Sequence, residues 1–284
     1  LSSLMIYRVK QNFRQTSWSA LAKASQAQPR VTRCFRISNE KVIAAQPEQA
    51  EVILHINPDA RCKQHLVSEM GINESILDDA LDPMQQGRVE FLDGHMAVVA
   101  KMPVLYRDED NFNYRVSSGG FFLFANRLVI VLNESIPLFE GRMFSRVSSL
   151  ADLFVRLMSR FTASFEAQLK AINVSSERLE RGVEMSLDNR KLMNIFTLEK
   201  SLVYHVTALA SNGRVLSKVL QCLPMSPQSR EILQEVIAAN LQCTQIAELF
   251  TSVISGLMDA RASLIGNNLN VMTKNLSAMM ISIA

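Results

Sequence analysis

The chain has 284 residues, 48% hydrophobic and 20% charged, with 30 basic and 27 acidic residues and a formal net charge of +3. This is the composition of a folded chain large enough for two subdomains, and it excludes an intrinsically disordered one. So small a net charge, with no Lys/Arg-rich run, argues against nucleic acid as a partner.

The first half reads as strand-rich. Residues 5–10 (MIYRVK) and 31–37 (VTRCFRI) alternate in part, and residues 50–56 (AEVILHI) form a strong strand candidate. Asn57-Pro58 predicts a helix start, with Asn57 as N-cap and Pro58 at the first helical position, closed by Gly71. Asn73 caps a second short helix, SILDDAL, which Asp82-Pro83 ends. RVEFL and HMAVVAKMPV then make a hairpin across Asp93-Gly94, a strong two-residue turn signal. A polar loop, RDEDN, is expected before the strand FNYRVSS; Gly119-Gly120 enters FFLF, and a turn at Ala125-Asn126-Arg127 leads to LVIVL. The fold class expected is α+β, with an N-terminal α/β/α sandwich over residues 1–147 and an all-helical part over 148–284.

In the helical part, Ser149 and Asp152 make a capping box for a helix whose inward residues are Leu153, Leu157, Phe161, Phe165, Leu169 and Ile172, running to about Gly182. A second helix covers Asn189 to Gln221, with Leu192, Ile195, Leu198, Leu202 and Leu209 inward. The breaker LPMSP follows, and a third helix over 227–284 contains no proline after its start. Three antiparallel helices, the third overshooting its partners, is the simplest arrangement. At 1.5 Å per residue the third would reach about 85 Å. It also loses its charges toward the end: after Asp259, Arg261 and Lys274 there are none. The uncharged run after Lys274 is about half of the ~20 residues needed to span a bilayer, so a membrane segment beyond this sequence is expected.

Two stripes run along that helix. Ile265, Leu269, Met272, Leu276, Met279 and Ile283 recur at alternating spacings of four and three, a heptad seam that should pack against another helix. Asp259, Ser263, Gly266, Asn267, Asn270, Thr273 and Ser277 form a second stripe of small or amide-bearing residues. A solvated face would use Glu, Lys and Arg, whereas this one is nearly uncharged and continues into the apolar end. Copies surrounding an axis would make it a narrow polar channel, with carboxylates at the mouth and side-chain carbonyls further in, suited to a cation that keeps its water.

The cysteines Cys34, Cys62, Cys222 and Cys243 lack paired or zinc-ribbon spacing and read as free thiols in a reducing compartment. Cys62 and His65 form a C-x-x-H pair without a second half and read as a helix face. With no Gly-rich phosphate loop, nucleophile elbow or His–carboxylate cluster, no enzyme is expected.

Three blocks in order resemble the CorA magnesium transporter family. They are LVSEMGINESILDDALDPMQQGRVEFLDGHMAVVAKMPV, GGFFLFANRLVIVL and GLMDARASLIGNNLNVMTKNLSAMM, together covering roughly residues 50–284. The resemblance implies the cytosolic portion of a homopentameric divalent-cation channel of the cell inner membrane, gated by intracellular Mg2+. It carries Mg2+, with Co2+ and Ni2+ as further ions, and is joined to the membrane by C-terminal helices not present here. It implies a carboxylate ring at Asp259, a water-binding pore amide at Asn270 and a hydrophobic constriction at Leu276. Thr273 stands where the family often has a bulky apolar residue. A regulatory Mg2+ between subunits would use Asp79 and, from the stalk, Glu235, where an Asp is usual. Carboxylates of two subunits repel unless a divalent ion sits between them, so a filled site locks the ring and ion loss frees it. Two alternatives stand beside this reading. One is a Zn2+ transporter of the ZntB type, which the absence of His or Cys after Cys243 disfavours. The other is a soluble oligomeric scaffold whose apolar end tucks back onto its own core.

Overall fold

Leu128–Leu132 (LVIVL) is buried at all five positions, which only a central strand covered on both faces achieves. The computed structural model describes residues 30–108, 111–181 and 189–283; the strand expected over 5–10 lies outside the described residues. Seven strands make one sheet: β1 (Val31–Ser38), β2 (Lys41–Ala44), β3 (Val52–Ile56), β4 (Arg88–Leu92), β5 (His95–Asp108), β6 (Asn111–Phe124) and β7 (Leu128–Leu132). Their order is β2-β1-β3-β7-β6-β5-β4. Only β3 and β7 pair in parallel, Val52 opposite Leu128 through Ile56 opposite Leu132. The helices are α1 (Ala60–Ser68), α2 (Glu74–Leu81), α3 (Leu150–Arg181), α4 (Asn189–Cys222) and α5 (Pro227–Ile283).

Alternation along the strands sorts side chains to two faces. One face, with Ala97, Val99, Phe122, Val129 and Val131, packs on Leu66 of α1 and on Ile76, Leu77 and Ala80 of α2. The other, with Leu54, Val98, Met102, Phe121 and Ile130, packs on Leu153, Leu157 and Phe161 of α3, Val215 and Val219 of α4, and Leu233 and Val236 of α5. The second helical layer of the sandwich is therefore built from the helical half of the chain. Further along, Phe165, Leu169 and Ile172 of α3 meet Ile195, Leu198, Leu202 and Leu209 of α4 and Cys243, Ala247 and Ile254 of α5. The inward positions read from the sequence are thus buried, except Leu192, whose side chain is outside the described residues.

Several local expectations are corrected. Asn57 does not cap α1. It sits in the left-handed region at φ +50°, and its N–H extends the β3–β7 ladder by donating to Leu132 O at 2.7 Å. Asp59 caps instead, accepting from Cys62 N at 2.8 Å, which leaves Pro58 before the helix. The polar stretch around residue 109 is not a loop of five, because β5 and β6 stay paired to Asp108 opposite Asn111. FNYRVSS and FFLF are one strand, and Gly119-Gly120 lies in its middle rather than at an entry. Both glycines mark close approach: a Cβ on Gly119 would lie 2.2 Å from Met102 Cε, and one on Gly120 would lie 2.8 Å from Ala80 Cβ. β2 was not read from the sequence; its hairpin turns through Asn39 and Glu40, both at positive φ. The end of the chain does not tuck back, since α5 is one helix of 57 residues to Ile283.

Two buried polar clusters fix the joints. Asp152, 1% exposed, accepts from Ser148 N, Arg156 Nε at 3.0 Å and Ser229 Oγ at 3.1 Å, so one carboxylate ties the starts of α3 and α5 together. Beyond the end of β4, Asn212 of α4 completes the edge of β5, accepting from Lys101 N and donating to Lys101 O, both at 2.8 Å. The Lys101 side chain, 5% exposed, donates to Pro83 O at 2.8 Å and to Ser118 Oγ at 2.6 Å; Ser118 Oγ donates to Asp82 O, and Asn133 Nδ2 to Leu81 O. A cation and two polar side chains thereby hold the last carbonyls of α2.

Asp152→Ala is expected to lower the unfolding free energy by about 3 kcal/mol in chemical denaturation, because Arg156 and Ser229 lose a buried acceptor; a loss below about 1 kcal/mol would contradict that role. Burial pushes the Lys101 amine from 10.5 down to about 8, partly offset by Asp82. Between those two pH values the unfolded chain binds more protons, so stability rises with pH there, while below about 8 both states hold the proton and the contribution is constant. Melts of the chain against Lys101→Met should show this rise only with the lysine, and parallel pH profiles would contradict it.

Candidate ion-handling sites

Helix α2 presents its carboxylates outward because Ile76, Leu77 and Ala80 claim the face toward the sheet. Asn73 Oδ1 starts it, accepting from Ser75 N at 2.9 Å and Ile76 N at 3.4 Å. Each of its two central carboxylates has a cation from its own chain. Lys63 Nζ of α1 meets Asp78 Oδ1 at 2.9 Å. Arg88 Nη2, at the start of β4, meets Asp79 Oδ2 at 2.6 Å, and the Asp79 side chain is 19% exposed. Arg88 Nε lies 3.2 Å from Glu90 Oε1 but is not aligned to donate, and it is screened from solvent without another acceptor.

Glu235 is exposed in the third turn of α5, between the buried Leu233 and Val236. It forms no ion pair among the described residues. Because α2 and the start of α5 cover opposite faces of the sheet, one chain does not bring Asp79 and Glu235 together. No group of three or more His, Cys, Asp or Glu arranged for a metal occurs among the described residues. The C-x-x-H pair does not converge: His65 Nδ1 faces Glu69 at 3.1 Å, while Cys62 Sγ lies 3.3 Å from His55 Nδ1. Burial lowers the His55 pKa and raises that of Cys62, so both are held neutral.

On α5 the last buried residue among those described is Ile254. Beyond it Asp259 and Thr273 are exposed, as are Val271 at 48% and Met272 at 64%. Met272 belongs to the heptad seam, so the single chain leaves the seam uncovered at that position. Asn270 and Leu276 lie on the same helix, their side chains outside the described residues. Steps of about 100° per residue put the α carbons of Asp259, Asn270 and Thr273 within about 60° of one another, with Leu276 about 60° beyond Thr273. No helix among the described residues is long and apolar enough to cross a membrane.

Sequence reasoning did not single out Arg88, Lys63 or Lys101. Lys101 had a signal, a lone charge inside the apolar run AVVAKMPV. Arg88 and Glu90 had a weaker one, since two strand residues two apart share a face.

The cobalt/magnesium transport protein CorA of Methanocaldococcus jannaschii is 24% identical over 224 residues, 75% of this chain and 69% of that protein. The protein of the same name from Thermotoga maritima is 22% identical over 218 residues, 73% of this chain and 61% of that one. The chain therefore spans about two thirds of the length of these curated relatives. The complete structure of the M. jannaschii CorA magnesium transporter matches with a TM-score of 0.70 at 20% identity, over 88% of this chain and 82% of that one. At that identity the likeness is one of fold. The family model described as CorA-like Mg2+ transporter protein matches residues 51–283, and the chain belongs to that family.

Proposed function

We propose that the chain is the cytosolic, ion-sensing and pore-entry part of a transporter for Mg2+, with Co2+ and Ni2+ as further cargo. Membership of the family and two relatives named for cobalt and magnesium transport support the ion class. One observation carries the structural part of the reading. Toward the far end of α5, a nearly uncharged stretch, the described side chains of Asp259, Val271, Met272 and Thr273 are exposed. A 57-residue helix of this kind needs covering along its outer half, and further copies of itself supply the cover.

In the proposed assembly five copies surround an axis at the inner membrane, residues 1–147 and 148–284 forming the two parts of each cytoplasmic subunit. Asp259 supplies the carboxylate ring, Asn270 holds water around the hydrated ion, and Leu276 forms a constriction with Thr273 as its polar neighbour. Further C-terminal helices complete the membrane part. Asp79 of one subunit and Glu235 of the next hold a regulatory Mg2+. The partly exposed carboxylate of Asp79 and the exposed carboxylate of Glu235 supply hard oxygen donors of the kind this ion takes. The bound ion supplies charge that offsets repulsion between subunits and so favours the closed ring.

Asn270→Ala in the full-length protein is expected to reduce Mg2+ uptake roughly tenfold by removing about one hydrogen bond to the hydrated ion, with the melting temperature unchanged. Normal uptake would contradict the assignment of this stripe to the pore.

A further inference from the structure

Asp79 is not a bare carboxylate waiting for an ion. Its Oδ2 receives Arg88 Nη2 at 2.6 Å, a short charge-assisted contact. Glu90 Oε1 lies 3.2 Å from Nε of the same guanidinium and adds a second negative charge beside it. Arg88 and Glu90 are two apart on β4, an edge strand fixed to β5 by Arg88 opposite Val99 and Glu90 opposite Ala97. Asp79 is fixed in turn, because Ala80 and Leu77 are fully buried and the carbonyls that follow are anchored by Asn133, Ser118 and Lys101. The pair therefore joins two rigid elements. The neighbouring Asp78 is matched by Lys63 in the same manner.

We infer that Arg88 is an internal counter-cation that competes with the divalent ion for Asp79, setting the Mg2+ concentration at which the regulatory site fills. The inference rests on the proposed assignment of a regulatory Mg2+ to Asp79. An ion approaching Asp79 meets a carboxylate whose charge Arg88 has already offset, and it meets the repulsion of the guanidinium itself. Either the ion binds beside the arginine with less attraction, or the arginine swings away and gives up its contact with Asp79. Both routes weaken binding relative to a carboxylate without the arginine. Arg88 acts here as a positioning and tuning residue and touches no ion.

The test uses Mg2+ alone, titrated into the full-length protein at constant ionic strength set with K+, and reads the Mg2+ concentration at half of the thermal shift. Arg88→Gln keeps a polar donor of similar reach and removes the charge. It is expected to lower that midpoint about tenfold, while Asp79→Asn abolishes the shift. Arg88→Lys keeps the charge and should leave the midpoint within about threefold of the parent, a readout that a purely structural role for the guanidinium would not give. A parent midpoint matched by Arg88→Gln, with the shift still lost in Asp79→Asn, would overturn the role of Arg88 and leave the sensor standing. A shift that survives Asp79→Asn, or no shift in any variant, would overturn the sensor at Asp79 and this inference with it.

Discussion

The structure depends on a mismatch of length. Helices α3 and α4 have 32 and 34 residues, and α5 has 57. Near the sheet the three pack together, and α5 is buried there through Leu233 and Val236 and further along through Ala247 and Ile254. Past Met258, which still packs on that core, the described side chains Asp259, Ser263, Val271, Met272 and Thr273 are exposed. Most helical stability in proteins comes from packing of an apolar face, which this part of α5 lacks at those positions. The overhang is therefore the part of the molecule that other material must complete, and after Ile254 its only charged residues are Asp259, Arg261 and Lys274. Everything proposed about ion passage follows from where that overhang begins.

The sheet supplies the second half of the account. It separates α1 and α2 on one face from α3, α4 and the root of α5 on the other. Asp79 and Glu235 are consequently kept apart within one chain, and only a neighbouring copy could join them. The buried Asp152 ties α5 to α3 at its root, while Asn212 and Lys101 tie α4 to β5 and to the end of α2. The root of the stalk and the end of α2 are thus each anchored by buried polar contacts to the body of sheet and helices.

Much of this was legible in the sequence, and the reasons are local. The helical stripe from Leu153 to Ile172, the Asn73 cap, the Asp93-Gly94 turn and the all-apolar LVIVL each follow from periodicity or turn chemistry, which act over a few residues. The Asn57 cap failed because a tertiary hydrogen bond to Leu132 outweighed the local signal, and the β5–β6 ribbon outran a polar stretch that looked like a loop. Arg88 was invisible for a different reason. Its partner Asp79 is nine residues away, across a helix end and a turn, and nothing in the spacing predicts that their side chains meet. The stripe on α5 was legible as a pattern, but covering it is a property of the assembly rather than of one chain.

The most direct test of the central claim asks whether the polar stripe of α5 faces the ions. In cysteine-free full-length protein, Thr273→Cys and Val271→Cys place a thiol about 160° apart on the same helix. Both are to be labelled to completion with a bulky thiol reagent while Mg2+ uptake is followed. The account predicts that labelling at residue 273 stops uptake and labelling at residue 271 leaves most of it. Uptake that continues after complete labelling at residue 273 would contradict it.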